Sequence, residues 1–217
     1  MSNLLIVESE NDQYFIEALV ASMNIDINID SPVCLIDEYE CLGGISKLEN
    51  KLRALTSQVQ KQGIDNIGII FDADHVGIEH RTRQIQEKID LVFGANHEVA
   101  FSIFILNVDG QGELETLLKQ ITSAPSPMAD CLKAWQSCLL EKKKALKQKD
   151  FDKFWVQIYQ RYDCCTNKEQ KQADRKCNNE SSLKNKSIYD YDRAIPELNA
   201  LKVFLKALSK NPDLPVI

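Results

Sequence analysis

Residues 67–75 read IGIIFDADH, and this stretch decides the fold. The unbroken apolar run at residues 67–71 is typical of a strand buried on both faces of a parallel sheet. Asp72 and Asp74 follow where the strand ends. Because residues i and i+2 of a strand point to the same side, this spacing aims both carboxylates at one place. The stretch predicts a central strand that delivers two acids to one edge of a sheet.

Strands and helices alternate on both sides of this stretch. Short apolar runs predict further strands at residues 4–7, 33–36 and 101–106. Apolar residues at helical spacing predict helices between them. These helices begin near Asp12 and cover residues 45–59, 85–92 and 113–121. The alternation predicts an α/β fold with a parallel, doubly wound sheet flanked by helices.

Two prolines, Pro125 and Pro127, mark a change of pattern. We expect residues 1–125 to form the α/β core and residues 126–217 to form a helical C-terminal extension packed on it. Within the extension, residues 164–187 are polar, rich in lysine and poor in core residues. This composition predicts a basic mobile loop.

The composition is that of a globular protein, with 44% hydrophobic and 27% charged residues in 217. Disorder and a fibrous repeat are therefore excluded. No apolar run approaches the roughly 20 residues needed to span a bilayer, and no secretory signal is visible. Seven cysteines without an export signal predict reduced thiols and a cytoplasmic location.

The net charge of −6 divides unevenly along the chain. Residues 1–125 carry 8 Lys or Arg and 20 Asp or Glu, whereas residues 141–186 carry 13 and 7. Solvated helix faces would explain both values. An acidic metal site served by a separate phosphate-attracting surface would also explain them. The candidate nucleic-acid-binding residues on that surface are Lys142, Lys143 and Lys144.

Acids follow three of the four predicted strands. Glu8 ends the first strand, with Asp12 one helical turn later. Glu113 and Glu115 begin the helix after the fourth. Ligands of parallel sheets bind outside the carboxyl ends of the strands, and clustered carboxylates repel one another unless a cation lies between them. Hard oxygen ligands suit Mg²⁺ or Mn²⁺, and a pair of such ions supports phosphodiester cleavage.

Each acid also has a purely structural explanation. Asp12 or Asp74 could cap the helix that follows it. Glu113 and Glu115 could interact with a helix dipole, and Glu8 could be a solvated residue at a strand end. The coincidence of acids at three strand ends favours the metal site.

Four stretches carry a family resemblance. Residues 7–12 read VESEND and residues 71–74 read FDAD. They resemble the glutamate and Asp-x-Asp motifs of the TOPRIM domain, the catalytic fold shared by topoisomerases, bacterial primases and OLD (overcoming lysogenization defect) nucleases. Residues 112–118 read GELETLL, which resembles the Gly-x-Leu-Glu-x-Leu-Leu element of small stand-alone TOPRIM proteins. The closing helix at residues 195–205 resembles the C-terminal end of the proteins in that group. Ser9 stands where that family usually has glycine.

The resemblance implies Mg²⁺- or Mn²⁺-dependent cleavage of DNA or RNA, in an antiphage-defence setting. Glu8, Asp72 and Asp74 would be catalytic and would hold the principal ion. Asp12 and Glu115 would complete a second site. The sequence has no P-loop of its own, so any ATP dependence would require a partner, which by resemblance to OLD-type systems would be an ABC-type ATPase.

Two other functions stay open. A non-catalytic TOPRIM-like subunit would keep the acids for folding and would regulate or bind an ATPase partner. A phosphatase of the haloacid dehalogenase type would use Asp72 as nucleophile and Asp74 as general acid. That second class requires a downstream lysine followed by an acidic pair, and the sequence offers no obvious match to this order.

Overall fold

The computed structural model of the protein describes residues 2–34, 44–94, 97–172 and 176–209. Its strands are β1 (Ser2–Val7), β2 (Asn28–Ile29), β3 (Ile64–Asp72) and β4 (Ala100–Leu106). They form one four-stranded sheet in the order β2-β1-β3-β4, and each neighbouring pair is parallel. The predicted α/β fold with a parallel sheet is confirmed.

Helices cover both faces of the sheet. The first four are α1 (Glu10–Met23), α2 (Gly44–Gln62), α3 (Ile78–Phe93) and α4 (Leu114–Gln120). Alternate residues of a strand point to opposite faces. Leu5 and Val7 of β1 therefore pack with α1 and α4, whereas Leu4 and Ile6 pack with α2 and α3. This two-sided burial explains the unbroken apolar runs in the strands.

The C-terminal extension is helical and shares the core of the α1 face. It contains α5 (Pro127–Asp130), α6 (Leu132–Glu141), α7 (Gln148–Ile158), a π-helical turn (Tyr159–Asp163), α8 (Asn167–Gln170), α9 (Asn179–Leu183) and α10 (Pro196–Leu208). Trp155 of α7 and Leu201 of α10 are buried in that core. None of the helices described combines the length and hydrophobicity needed to cross a membrane.

The second strand differs from the prediction. The apolar run at residues 33–36 predicted it, but β2 is the pair Asn28–Ile29, held beside β1. At the predicted position, the Val33 and Cys34 amides donate to the carbonyls of Val7 and Glu8 at 3.0 and 2.9 Å. Residues 35 and 36 lie outside the described part of the chain. A strand of two residues is too short to show a hydrophobic pattern in the sequence. Only its backbone hydrogen bonds to β1 identify it as a strand.

Residues 164–187 also differ from the predicted loop. They contain α8 and α9, and Leu183 is only 1% exposed within the core. Cys165 and Cys177 form a disulfide in this segment, where we expected reduced thiols. The loop was predicted from the lysine-rich composition of the whole segment, but a few buried residues such as Leu183 are enough to hold it against the core.

Gly68 lies inside β3 where there is no room for a side chain. A methyl group here would overlap the Leu208 Cδ2 atom on α10. We expect Gly68→Ala to lower the free energy of unfolding by about 1–3 kcal/mol through overpacking. Because Leu208→Ala would create space in the same place, urea denaturation of the double variant should recover part of that loss. Strictly additive losses would contradict this account.

Candidate metal centre

The first and third strands bring two of the predicted acids together. Val7 is paired in register with Ile70, so Glu8 leaves β1 beside the end of β3. The Asp72 amide donates to Glu8 Oε2 at 3.4 Å, which joins the two strand ends. The carboxyl edge of the sheet therefore gathers these acids as the sequence predicted.

Asp72 lies at the centre of the acid cluster. Burial raises the pKa of Asp72 well above its usual value, and the carboxylates of Asp12, Glu8, Glu115 and Glu113 raise it further. Its Oδ1 is buried and has no hydrogen-bond partner among the residues that the structure describes. A buried carboxylate oxygen without a partner costs free energy, and a cation would remove that cost.

The neighbouring acids share this environment. Burial raises the pKa of Glu8 to about 8, and the charges of Asp12 and Asp74 add to the rise. Burial also raises the pKa of Glu115 to about 7. These carboxyls therefore resist ionisation together, as expected for a site that is short of positive charge.

Asp12 has a structural role as well. Its Oδ2 accepts hydrogen bonds from the Ser9 hydroxyl at 2.7 Å and from the Ser9 amide at 2.9 Å. Ser9 is thus the N-cap of α1, and Asp12 completes a capping box rather than capping the helix itself. Despite these hydrogen bonds, burial raises the pKa of Asp12. Ser9 therefore supports the turn at the end of β1 and orients one acid.

Asp74 is held in place by its backbone hydrogen bonds and by an arginine side chain. It has a left-handed conformation, with φ of 48°, and exchanges two 2.9 Å backbone hydrogen bonds with Gly112. Its carboxylate forms an ion pair with Arg81 of α3, whose Nε also donates to the Asp72 carbonyl at 3.0 Å. Asp74 does not cap α3, because that position belongs to Gly77. Arg81, which we did not predict, fixes the Asp-x-Asp turn.

Two lysines of α7 reach the acids from the other side. Lys153 Nζ lies 3.1 Å from Glu113 Oε2, and Lys149 Nζ lies 3.9 Å from Glu113 Oε1. Burial alone would lower the pKa of Lys153, but the carboxylates of Glu115 and Glu113 together raise it to about 12. Glu113 is also the N-cap residue of α4. The spacing of four residues could have indicated that both lysines share one helix face.

Asp152 holds α7 in this position. It is 2% exposed, and its carboxylate accepts hydrogen bonds from Lys119 Nζ at 2.6 Å, Gln148 Nε2 at 2.8 Å and Thr116 Oγ1 at 3.1 Å. Thr116 and Lys119 belong to α4, so this buried acid ties the two helices together. Lys149 and Lys153 are thereby directed at the acids that open α4.

The structure places the predicted nucleic-acid-binding lysines elsewhere. Lys142 caps the C-terminal end of α6, and Lys143 and Lys144 follow it, all three exposed. Lys149 and Lys153, by contrast, form ion pairs with the acid cluster. Lys142, Lys143 and Lys144 therefore remain candidates for an outer surface, and the cations beside the acids are different residues.

The cluster has the donor chemistry of a hard-cation site. Its side chains offer carboxylate oxygens, the ligands that Mg²⁺ and Mn²⁺ prefer. As they stand, no three Asp, Glu, His or Cys side chains of the described residues are arranged to hold an ion. Arg81 and Lys153 already pair with Asp74 and Glu113. An ion that includes Asp74 among its ligands would therefore require this carboxylate to turn away from Arg81.

Comparison with known proteins identifies the family of the chain. None of the curated proteins matches it, and none of the solved structures does. One protein family, described as "Protein of unknown function (DUF3226)", matches residues 2–210. This match takes in the whole sheet, the acid cluster and α7. The chain therefore belongs to the DUF3226 family.

Proposed function

We propose that this protein is a Mg²⁺- or Mn²⁺-dependent nuclease of TOPRIM type that cleaves phosphodiester bonds in DNA or RNA. One observation carries the proposal. The Oδ1 atom of Asp72 is buried and lacks a partner among the described residues, and four other carboxylates raise the pKa of this group. A divalent ion would neutralise this cluster and satisfy that oxygen.

The ion would be held by the acids at the strand ends. Glu8, Asp72 and Asp74 would hold the principal ion, and Asp12 and Glu115 would complete a second site. When bound, such ions activate water and stabilise a leaving oxygen in phosphodiester cleavage. Glu113 lies beside this set, where its contacts with Lys149 and Lys153 bring positive charge to the same edge.

The two lysines would bind the phosphate of the substrate. Lys153 carries a charged ammonium at neutral pH, and the neighbouring carboxylates raise its pKa further. Lys149 lies one turn earlier on α7 and is about half exposed. A phosphate entering beside Glu113 would therefore meet two ammonium groups on one helix face. Arg81 would keep the Asp-x-Asp turn in place through the Asp72 carbonyl after Asp74 turns to the ion.

The two alternatives are less well supported. A phosphatase needs Asp74 as a proton donor, but Asp74 is engaged as the acidic partner of Arg81. A subunit that kept its acids only for folding would explain the helix caps at Asp12 and Glu113 and the ion pair of Asp74. It would not explain the buried Asp72 oxygen, which has no partner among the described residues and costs stability when no ligand is bound. Both alternatives make distinct experimental predictions.

The test is an activity assay on single- and double-stranded DNA and RNA with Mn²⁺. We expect cleavage by the wild type, and none by the Asp72→Asn/Asp74→Asn variant. Lys153→Gln should weaken cleavage while leaving the Mn²⁺ stabilisation of the fold intact. Hydrolysis of a phosphomonoester without polymer cleavage would favour the phosphatase.

A partner and a location complete the proposal. We propose that the protein acts in antiphage defence together with an ABC-type ATPase. The cleavage assay is therefore run both with and without this ATPase. No cleavage of any polymer in its presence would favour the regulatory subunit. We also propose a cytoplasmic location, where cellular reductants would act on the Cys165–Cys177 disulfide.

A further inference from the structure

A cleft of about 470 Å³ opens beside the acid cluster. One wall carries Asp74, His75 and Glu113, and the other is formed by residues 147–149 at the start of α7. The cleft is thus lined by Asp74, one of the acids proposed to hold metal, and by a stretch that contains two lysines.

The backbone fixes the floor of this cleft. Two mutual hydrogen bonds of 2.9 Å join Asp74 to Gly112, and Val108 and Gln111 exchange two more at 2.6 and 3.2 Å. Gly112 has φ of 98°, and a Cβ there would lie 3.0 Å from Thr116 Oγ1. Only glycine suits this conformation and this spacing, so the floor is a built surface rather than a gap between mobile side chains.

The opposite wall is fixed by the buried carboxylate of Asp152. Gln148, which lines the cleft, donates to Asp152 Oδ1 at 2.8 Å. Lys147 lines the cleft too, and it forms no ion pair with any residue that the structure describes. Lys147 is the N-cap residue of α7 and makes no side-chain capping bond, which leaves first-turn amides of this 11-residue helix available to an anion.

The size of the cleft limits what can enter it. Its volume lies in the lower part of the roughly 300–1,000 Å³ range of small-molecule pockets. A nucleotide within a duplex is stacked and paired, and it reaches a pocket only when it leaves the stack. A cleft that combines lysines, an imidazole and the edge of an acid cluster therefore suits one unpaired nucleotide with its phosphates.

We infer that this cleft binds a single unpaired nucleotide of a single-stranded nucleic acid or strand end. The inference rests on the proposed nuclease function and names its substrate class. One phosphate lies against Lys147, Lys149 and the start of α7. The next phosphate lies toward Asp74, the proposed metal ligand that lines the cleft, and the base stacks on the ring of His75, which also lines it.

Binding of labelled oligonucleotides tests this inference. The full-length Asp72→Asn variant, which we expect not to cleave because it lacks a proposed metal ligand, is titrated with single-stranded DNA, single-stranded RNA and blunt duplexes of the same sequence. We expect either or both single strands to bind at least about tenfold more tightly than the duplexes, because only unpaired nucleotides can enter the cleft. Equal affinity for single strands and duplexes would overturn the inference.

Two double variants separate the cleft from general charge. Lys147→Gln/Lys149→Gln should remove most of the preference for single strands and reduce the salt slope by about 0.7 per lost phosphate contact. Lys168→Gln/Lys171→Gln makes the same charge change on exposed residues at α8, outside the cleft lining. If both double variants weaken single-strand binding equally, the cleft is not the site.

The failure of the nuclease proposal has a different signature. Wild-type protein that neither gains stability from Mn²⁺ nor cleaves any polymer would overturn the nuclease function. In that case a preference for single strands that depends on Lys147 and Lys149 would still support the cleft as a nucleotide site. Loss of that preference with intact Mn²⁺-dependent cleavage of duplexes would overturn the cleft alone.

Discussion

Mn²⁺ should raise the melting temperature of the wild-type protein and leave that of the Asp72→Asn/Asp74→Asn variant unchanged. A ligand that binds only the folded state stabilises it by about 2.7 kcal/mol at a hundredfold excess over its Kd. For a chain of this length, that corresponds to a shift of about 5–10 °C. Relief of the repulsion around Asp72 acts in the same direction. Differential scanning calorimetry with Mn²⁺, Mg²⁺ and EDTA measures the shift.

The variant without metal supplies an internal check. An amide carries no charge, so Asp72→Asn removes the cost of burying a carboxylate among other acids. We therefore expect the single Asp72→Asn variant in EDTA to melt at or above the wild type, because it leaves the ion pair of Asp74 with Arg81 in place. Glu79→Gln/Glu87→Gln makes the same charge change as the double variant on exposed residues of α3 and should keep the full Mn²⁺ response. Equal Mn²⁺ shifts in wild type and the Asp72→Asn/Asp74→Asn variant would place the ion elsewhere.

The central fold was predictable because buried parallel strands leave a strong local signal. The continuous apolar runs at residues 4–7 and 67–71 and the mostly apolar stretch at 101–106 lie inside observed strands, since both faces of the sheet are covered by helices. The gathering of acids followed from the same rule, because parallel strands end at one edge. β2 was missed for the opposite reason, as a two-residue edge strand buries little.

The cations of the site could not be predicted from local pattern. Arg81 reaches Asp74 from α3, and Lys153 reaches Glu113 from α7, 40 residues further along the chain. Such pairs depend on how helices pack, and for Lys153 that packing is fixed by the buried contacts of Asp152 with α4. The run Lys142–Lys144 attracted attention because it is contiguous, whereas Lys149 and Lys153 are separated in sequence and adjacent only on a helix.

Without divalent metal, the free energy of unfolding should fall as the pH rises from about 4.5 to about 8. In the unfolded chain glutamate ionises near pH 4.5, but burial raises the pKa of Glu8 to about 8 and that of Glu115 to about 7 in the folded protein. Within this window the folded state holds more protons than the unfolded state. Each of the two groups therefore lowers stability by about 1.4 kcal/mol per pH unit until its folded pKa is reached.

Urea denaturation across this pH range, in EDTA, measures the slope. Glu115→Gln should reduce the slope between pH 4.5 and 7, and Glu8→Gln should reduce it up to pH 8, because an amide does not titrate. Glu87→Gln, an exposed change on α3, should leave the slope as it is. A wild-type slope equal to that of Glu8→Gln would contradict the burial of this carboxyl.

Whereas the stability of the metal-free protein should fall as the pH rises, its stabilisation by divalent metal should increase. Ions bind carboxylates in their ionised form, so binding at Glu8 and Glu115 must release the protons that these groups hold at low pH. The stabilisation by a fixed concentration of Mn²⁺ should therefore be larger at pH 8 than at pH 6, where both groups keep their protons in the folded protein. This difference in Mn²⁺ stabilisation between pH 8 and pH 6 should become smaller in Glu8→Gln and stay the same in Glu87→Gln. A Mn²⁺ stabilisation that is the same at both pH values would mean that the ion does not bind these acids.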